Sequence, residues 1–378
     1  MKIVEVRPWV LDHQLDQPFQ SAFSGFTSRT TCLVEIVCDN GLVGWGEALA
    51  APHINAAIIR SMRGLLIGKN PLDIEQHWLT LYNQFRDQGQ RGAIITALSG
   101  IDVALWDIAG KHFDAPVHRL MGGAWRHRVR AYATGAFRRT SGDRIEYIAE
   151  ETAGYVAEGF TAVKIKIGFD PKEDIAVCEA VRDAIGPETG FMIDANHGYD
   201  AIEAIRVGNA VEECDIDWFE EPVVPEDLES YREIRAGQPI PVAGGETWHT
   251  RWGFRDVLTD RAVDIIQPDV CGVGGLTESK KIAAMAETFG VRCVPHVWGT
   301  GIAIAAALQF LAVLPPNPPR HESLEPLLEF DRTHNPYRQA ILKSPIEQWA
   351  GWVRIPDGPG LGIEIDRDAV TEYAIDPA

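Results

Sequence analysis

The sequence lacks a long uninterrupted apolar run: the longest, Gly301 to Leu314, is broken by Gln309 and falls short of the roughly 20 residues a spanning helix needs. Its opening, MKIVEVRPWV, lacks the uninterrupted apolar core of a secretory signal. Six cysteines (Cys32, Cys38, Cys178, Cys214, Cys271 and Cys293) are scattered, with no CxxC pair and no histidine at zinc spacing. That excludes a disulfide framework and a zinc site, and the expected setting is cytoplasmic with reduced thiols. Positive charge is also scarce. Against 54 acidic residues stand 35 basic ones, and a net charge of −19 repels nucleic acid and anionic membranes. An acidic small-molecule substrate would therefore need a local cation. No GxGxxG, GxxxxGK[ST] or GxSxG occurs, and CGVGG at 271–275 has the wrong spacing, so dinucleotide, nucleotide and acyl-transfer chemistry lose their anchors.

What is present is a chain with 46% hydrophobic and 24% charged residues, enough to build a sizeable core. Thr31 to Cys38 alternates toward Asp39-Asn40-Gly41, a hairpin turn, and Leu42 to Ala48 continues the second arm. From about Ile54 to Phe113 the apolar spacing turns helical, which makes the first part an α+β module. From Val129 short apolar runs alternate with amphipathic stretches: Val129–Tyr132, Ala162–Ile167, Phe191–Ile193, Ile216–Phe219, Pro241–Ala243, Val263–Ile266 and Val291–Val294. The helical stretches Ile145–Glu158 and Leu276–Phe289 stop at Gly159 and Gly290. This is βαβ patterning, and seven or eight repeats favour a closed α/β barrel. The expected boundaries are a capping domain at 1–125, a barrel at 126–325, and a segment 326–378 that completes the barrel and packs on the cap. The strand-like pieces of WVRIPDGPGLGIEID are expected on the N-terminal module.

Nearly every apolar run ends in an ionisable residue: Lys164 and Lys166, Asp194, Glu220, Glu246, Asp269 and His296. From Lys166 onward the steps are 28, 26, 26, 23 and 27 residues, about one strand plus one helix each. All should ring one mouth of the barrel, where barrel enzymes carry their active sites. Asp194, Glu220 and Glu246 are three like charges that would drive protonation unless a cation neutralised them. Hard oxygen ligands suit Mg²⁺, with Mn²⁺ next. A single strand-end acid is as readily a helix cap, but three in even register are not explained that way. Glu221 should point to the other face of its strand. Lys164 and Lys166, two apart, share a face, and paired ammonium groups depress one another, which suits a base. Asp269 can orient and activate His296. His53, His197, His249 and His321 are read as structural.

Together KIK, IDAN, FEEP, GGE, QPD and VPHVWGTG resemble the enolase superfamily, mandelate racemase subgroup, over essentially the whole chain. The resemblance implies a modified (β/α)7β barrel of the TIM type, with an α+β capping domain built from both chain ends. It implies Asp194, Glu220 and Glu246 as Mg²⁺ ligands, Lys166 as base, Lys164 as its electrostatic neighbour, and Asp269 with His296 as the opposite dyad. A glutamate on the last strand, Glu325 or Glu329, would face the enediolate. Asn196, Trp298 and Arg86 are candidates for substrate contact, and the loops near Ser21–Phe26 and Ala51–Asn55 for closure over the mouth. The longer stretches RDQGQRG, IDANHGY, DWFEEPVVPE, PVAGGETWH and EFDRTHNPYRQA resemble the lactone cycloisomerases of that subgroup. They imply a galactaro- or glucaro-lactone opened to a 3-deoxy-2-keto acid, with an acid-sugar dehydratase as the alternative and a homo-oligomer as the common assembly. A non-catalytic scaffold predicts damage among Lys166, Asp269 and His296, and all three are intact.

Overall fold

The computed structural model describes residues 1–319 and 325–376, which leaves His321 outside the described residues. Parallel strands Arg128–Thr134, Ala162–Lys166, Gly190–Asp194, Trp218–Glu220, Val242–Gly244, Ile265–Ile266 and Arg292–Cys293 lie side by side in chain order. An eighth, Leu328–Asp331, pairs in parallel with the first. Seven helices, from Arg144–Ala157 to Gly301–Val313, alternate with them, which is the (β/α)7β order. Among the described residues no backbone ladder joins the seventh strand to the eighth. The seven apolar runs coincide with the first seven strands. The eighth lies where the pattern reads as a tail, because Pro326 and Arg332 bound a run too short to register.

The capping module is an antiparallel meander of Ile3–Gln20, Gly25–Cys38 and Val43–Ala48, turning at Gly41, whose φ is +85°. Helices Pro52–Leu66, Ile74–Phe85 and Ala93–His112 cover it. The last is long and apolar enough to span a membrane, yet 83% of that stretch is buried inside the fold. It sits directly on Val43–Ala48: a Cβ at Gly46 would lie 2.0 Å from the Gly100 carbonyl oxygen.

The C-terminal segment divides between the two parts. Strand Trp352–Arg354 pairs with the first barrel strand rather than with the N-terminal module, which corrects the expectation for its first half. The second half does pack on the cap: the Leu361 amide donates to Asp107 at 2.9 Å, and Ala374–Asp376 adds antiparallel to Ile3–Gln20.

Candidate active site

Alternation along the barrel strands stacks two layers inside the barrel. The floor is Tyr132, Ala162, Met192, Trp218, Ala243, Ile265 and Val294, with Leu327 against them. Two residues further along, the chain carries Thr134, Lys164, Asp194, Glu220, Gln267, His296 and Glu329. The mouth is thus polar at the C-terminal strand ends, where barrel enzymes place their chemistry. On the fifth strand that position is Gly245, with φ +148°, and the next residue, Glu246, brings the carboxylate in.

One carboxylate oxygen each from Asp194, Glu220 and Glu246 lies within 4.8 Å of the others. Glu246 Oε2 is buried without a hydrogen-bond donor; His296 Nε2 is 3.1 Å away but is not aligned as a hydrogen bond. Three hard anionic oxygens and an orphaned acceptor fit a divalent cation of the Mg²⁺ type, and the absence of sulfur or imidazole from the trio disfavours zinc. Glu220 is fixed further by Trp218 Nε1 at 3.0 Å and Gln267 Nε2 at 2.6 Å. Burial pushes its carboxyl up to about 7, against the pull of Lys164.

Both lysines are buried and face these carboxylates. Lys166 pairs with Asp194; Lys164 lies 2.5 Å from Glu220 and 2.8 Å from Glu329. Burial and the Lys164 charge push Lys166 down, but Asp194, Glu246 and Glu220 outweigh them and leave it above its ordinary value. A cation among those carboxylates would weaken that pull, which is the condition under which the neighbouring ammonium can favour a free amine.

His296 Nδ1 lies 2.7 Å from Asp269 Oδ2, and the Cys271 amide holds the other Asp269 oxygen at 2.7 Å. Burial lowers the imidazole, yet Glu246, Glu329 and Asp269 together raise it to about 10. Glu329 accepts from Thr134 Oγ1 at 2.8 Å and from the Val297 amide at 3.0 Å. Despite burial, Lys164 holds it down at about 2. Glu325 is exposed and stands beside Thr161, Gly190, Asp217 and Val291, at the opposite end of the barrel from the polar mouth. Of the two glutamates only Glu329 joins the polar layer.

Asn196, with φ +39°, donates its amide to Asp194 at 2.9 Å and keeps a buried Oδ1 without a partner. Trp298 closes an aromatic wall with Phe19, Phe26 and Phe137, at ring separations of 6.5, 5.8 and 5.4 Å, and Arg29 stacks on it at 4.0 Å. Lys166 Nζ lies 5.1 Å from the Phe137 ring, so the wall borders the lysine. Arg29 lies 3.0 Å from Asp331, a carboxylate it shares with Arg338, so the three side chains keep one net positive charge. Arg86 stacks on Tyr82 and bonds Asn83 on an exposed helix end. The Ser21–Phe26 turn rests on the mouth, with Ala22 filling the space a side chain at Gly168 or Gly198 would need. Asn55 Nδ2 bonds the Leu49 and Ala50 carbonyls and so anchors the other loop.

Glu221 departs from its expected orientation. The strand ends at Glu220, Glu221 takes φ +41°, and its buried carboxylate lies 3.2 Å from both His197 and Thr247, close enough to Glu246 for that charge to push its carboxyl up further than burial alone does. His197 is thereby drawn to the rim of the site. Thr134 and Gln267 escape a search for ionisable residues, although their place two residues beyond the floor layer would have found them. Phe19 and Arg29 arrive from the capping sheet and carry no local signal, whereas Phe26 ends the loop expected to close over the mouth.

Residues 147–369 match the family described as enolase C-terminal domain-like, and residues 4–122 match the mandelate racemase / muconate lactonizing enzyme N-terminal domain. The chain is 59% identical over 373 residues to the D-galactarolactone cycloisomerase of Agrobacterium fabrum, covering 99% of each. It is 36% identical over 342 residues to the arabinonate dehydratase of Saccharolobus solfataricus, covering 89% of this chain and 88% of the relative. The crystal structure of the 3,6-anhydro-D-galactonate cycloisomerase from Zobellia galactanivorans superposes with a TM-score of 0.90 at 38% identity, covering 100% of both chains. The protein belongs to the enolase superfamily, within its mandelate racemase / muconate lactonizing enzyme group.

Proposed function

We propose that this chain is a Mg²⁺-dependent lactone cycloisomerase, opening a galactaro- or glucaro-lactone to a 3-deoxy-2-keto-hexarate. The observation that carries the reading is the placement of two bases at opposite ends of one carboxylate row: Lys166 beside Asp194, His296 beside Glu246. Asp194, Glu220 and Glu246 would hold the metal, Mg²⁺ or Mn²⁺. When bound it would supply a Lewis acid that neutralises charge developing on the substrate carboxylate. Lys166 and His296 then reach opposite faces of the α-carbon, and the configuration there decides which takes the proton. The C–H pair becomes the new C=C bond as the β C–O bond breaks, and the ring oxygen leaves as a carboxylate. The resulting enol gains a proton at carbon and becomes the 2-keto acid, so water is neither added nor lost. Lys164, Glu329 and Asn196 would face the charge that develops at the carboxylate.

The aromatic wall supports a lactone over a linear aldarate. Phe19, Phe26, Phe137 and Trp298 offer an apolar ring surface that suits the compact ring of a lactone better than the extended hydroxylated chain of a linear diacid. A lactone presents an uncharged ester there. We further assign residues 1–125 to the cap, 126–325 to the barrel and 326–378 to the closing segment. A cytoplasmic setting suits its six free thiols.

Incubating the protein and Mg²⁺ separately with galactaro-lactone and with linear galactarate, and following 2-keto acid, tests the reading. Turnover of the linear acid alone would make the protein a dehydratase instead.

A further inference from the structure

The helices that follow the lysine and the first two metal-site carboxylates are capped from within the barrel. Asp170 accepts from the Lys172 and Glu173 amides, Asp200 from Glu203 and Asp227 from Ser230. The two helices that follow Asp269 and His296 are held by the other module: Gly275–Phe289 has no side-chain cap of its own, and the cap of Gly301–Val313, the Thr300 hydroxyl that accepts the Ile302 amide at 3.2 Å, is itself gripped from the capping sheet. Glu47, on the capping sheet, accepts the Thr300 hydroxyl at 2.6 Å, the Thr300 amide at 3.1 Å and the Ala303 amide at 3.2 Å, at the start of Gly301–Val313. Thr31, from the same sheet, donates to it at 2.6 Å. Asp102, on the capping helix, accepts the Thr277 amide at 3.0 Å, at the start of Gly275–Phe289. Beside it Ser99 accepts the Gly274 amide at 2.8 Å, and the Leu49 amide donates to the Cys271 carbonyl at 3.0 Å.

We propose that Glu47, seconded by Asp102, is a positioning residue through which the docked cap sets the His296–Asp269 arm, while the barrel alone sets Lys166 and the metal-site carboxylates. The route is short. Thr300 lies four residues past His296, and between them the Val297 amide donates to Glu329. Cys271, gripped through its carbonyl by Leu49, gives its amide to Asp269. Glu47 is 1% exposed and each of its partners donates a hydrogen, so only an acceptor fits. A glutamine would set its own N–H₂ against one of those donors. The inference rests on the reading of His296 and Asp269 as reacting groups.

Hydrogen–deuterium exchange on the full-length Glu47→Gln protein gives the direct test. Residues 296–303 should exchange about ten-fold faster or more while residues 162–168 keep their protection. kcat should fall about ten-fold or more with KM within about three-fold, and Thr300→Ser, which keeps the hydroxyl, should stay near the parent. In a His296→Asn background Glu47→Gln should cost less than about two-fold more, since both act through one group. Asp227→Ala, which removes a local cap, should lower the melting temperature and leave kcat within about two-fold. Unchanged exchange at 296–303, or an equal rate loss in both backgrounds, overturns the proposal. If Glu47→Gln does not fold, Thr300→Val removes the same hydroxyl contact and is read the same way. Undiminished turnover by His296→Asn alone would instead refute the dyad reading, and the exchange pattern would still decide the clamp.

Discussion

Lys164 Nζ lies 2.8 Å from Glu329 Oε1, tying the second barrel strand to the eighth across the first, whose own contribution there is the Thr134 hydroxyl. Both side chains are 1% exposed. Lys164 serves Glu329 and Glu220 at once, so removing it strands buried negative charge on both sides.

Lys164→Met should lower the unfolding free energy by about 3–5 kcal/mol, the usual cost of orphaning a buried charge. Adding Glu329→Leu should recover only part of that, because Glu220, 2.5 Å from the same ammonium, remains unpaired. Urea denaturation of the parent, the single variant and the double variant measures the difference.

Mg²⁺ should raise the melting temperature of the parent protein, by the equivalent of about 3 kcal/mol at a hundred-fold excess over its dissociation constant. Asp194→Asn and Glu246→Gln should each abolish most of that shift. Thermal scans with Mg²⁺, with Mn²⁺ and with chelator check it, and an undiminished shift in both variants would place the metal elsewhere.

The metal-free protein should lose stability as pH rises past neutrality. His296 is held at about 10 in the fold, above its ordinary 6.5, mainly by Glu246, Glu329 and Asp269 against the cost of burial. A raised value means that the folded state holds its proton more tightly. The stabilisation is complete below about pH 6.5 and disappears as pH rises through about 10, a difference on the order of a few kcal/mol. His296→Asn should flatten that part of the stability curve.

Glu329→Gln should reduce kcat about 100-fold or more, since it replaces an acceptor bonded to Thr134, Lys164 and the Val297 amide at the reacting end. Glu325→Ala should leave kcat within about two-fold, because Glu325 is exposed at the far end. Steady-state kinetics on the lactone separates the two.

The sequence pattern carried the parts of this molecule that obey a period. Lys166, Asp194, Glu220 and His296 are legible because parallel strands recur at near-constant spacing and each exposes its last inward residue at the same end. Glu329 stayed ambiguous because its strand, LEFD, follows a long connection from the helix ending at Val313, which breaks the rhythm. Glu221 stays outside the carboxylate trio, but strand alternation does not set its direction because the backbone turns left-handed one residue past the strand's end. Glu47 and Asp102 were invisible for a different reason. Their partners lie 253 and 175 residues away, and nothing local distinguishes a carboxylate that caps a distant helix from one that faces water.

The aromatic wall has a consequence for turnover. Opening a lactone turns a monoanion into a dianion, and in the proposed reaction the new charge would appear where the neutral ester had been, beside Phe19, Phe26, Phe137 and Trp298. Arg29, stacked on that wall, shares the one carboxylate of Asp331 with Arg338, so a net positive charge lies behind the rings. Ring opening would therefore turn the wall from a face for a neutral ester into the neighbour of a new anion, with that residual positive charge close by.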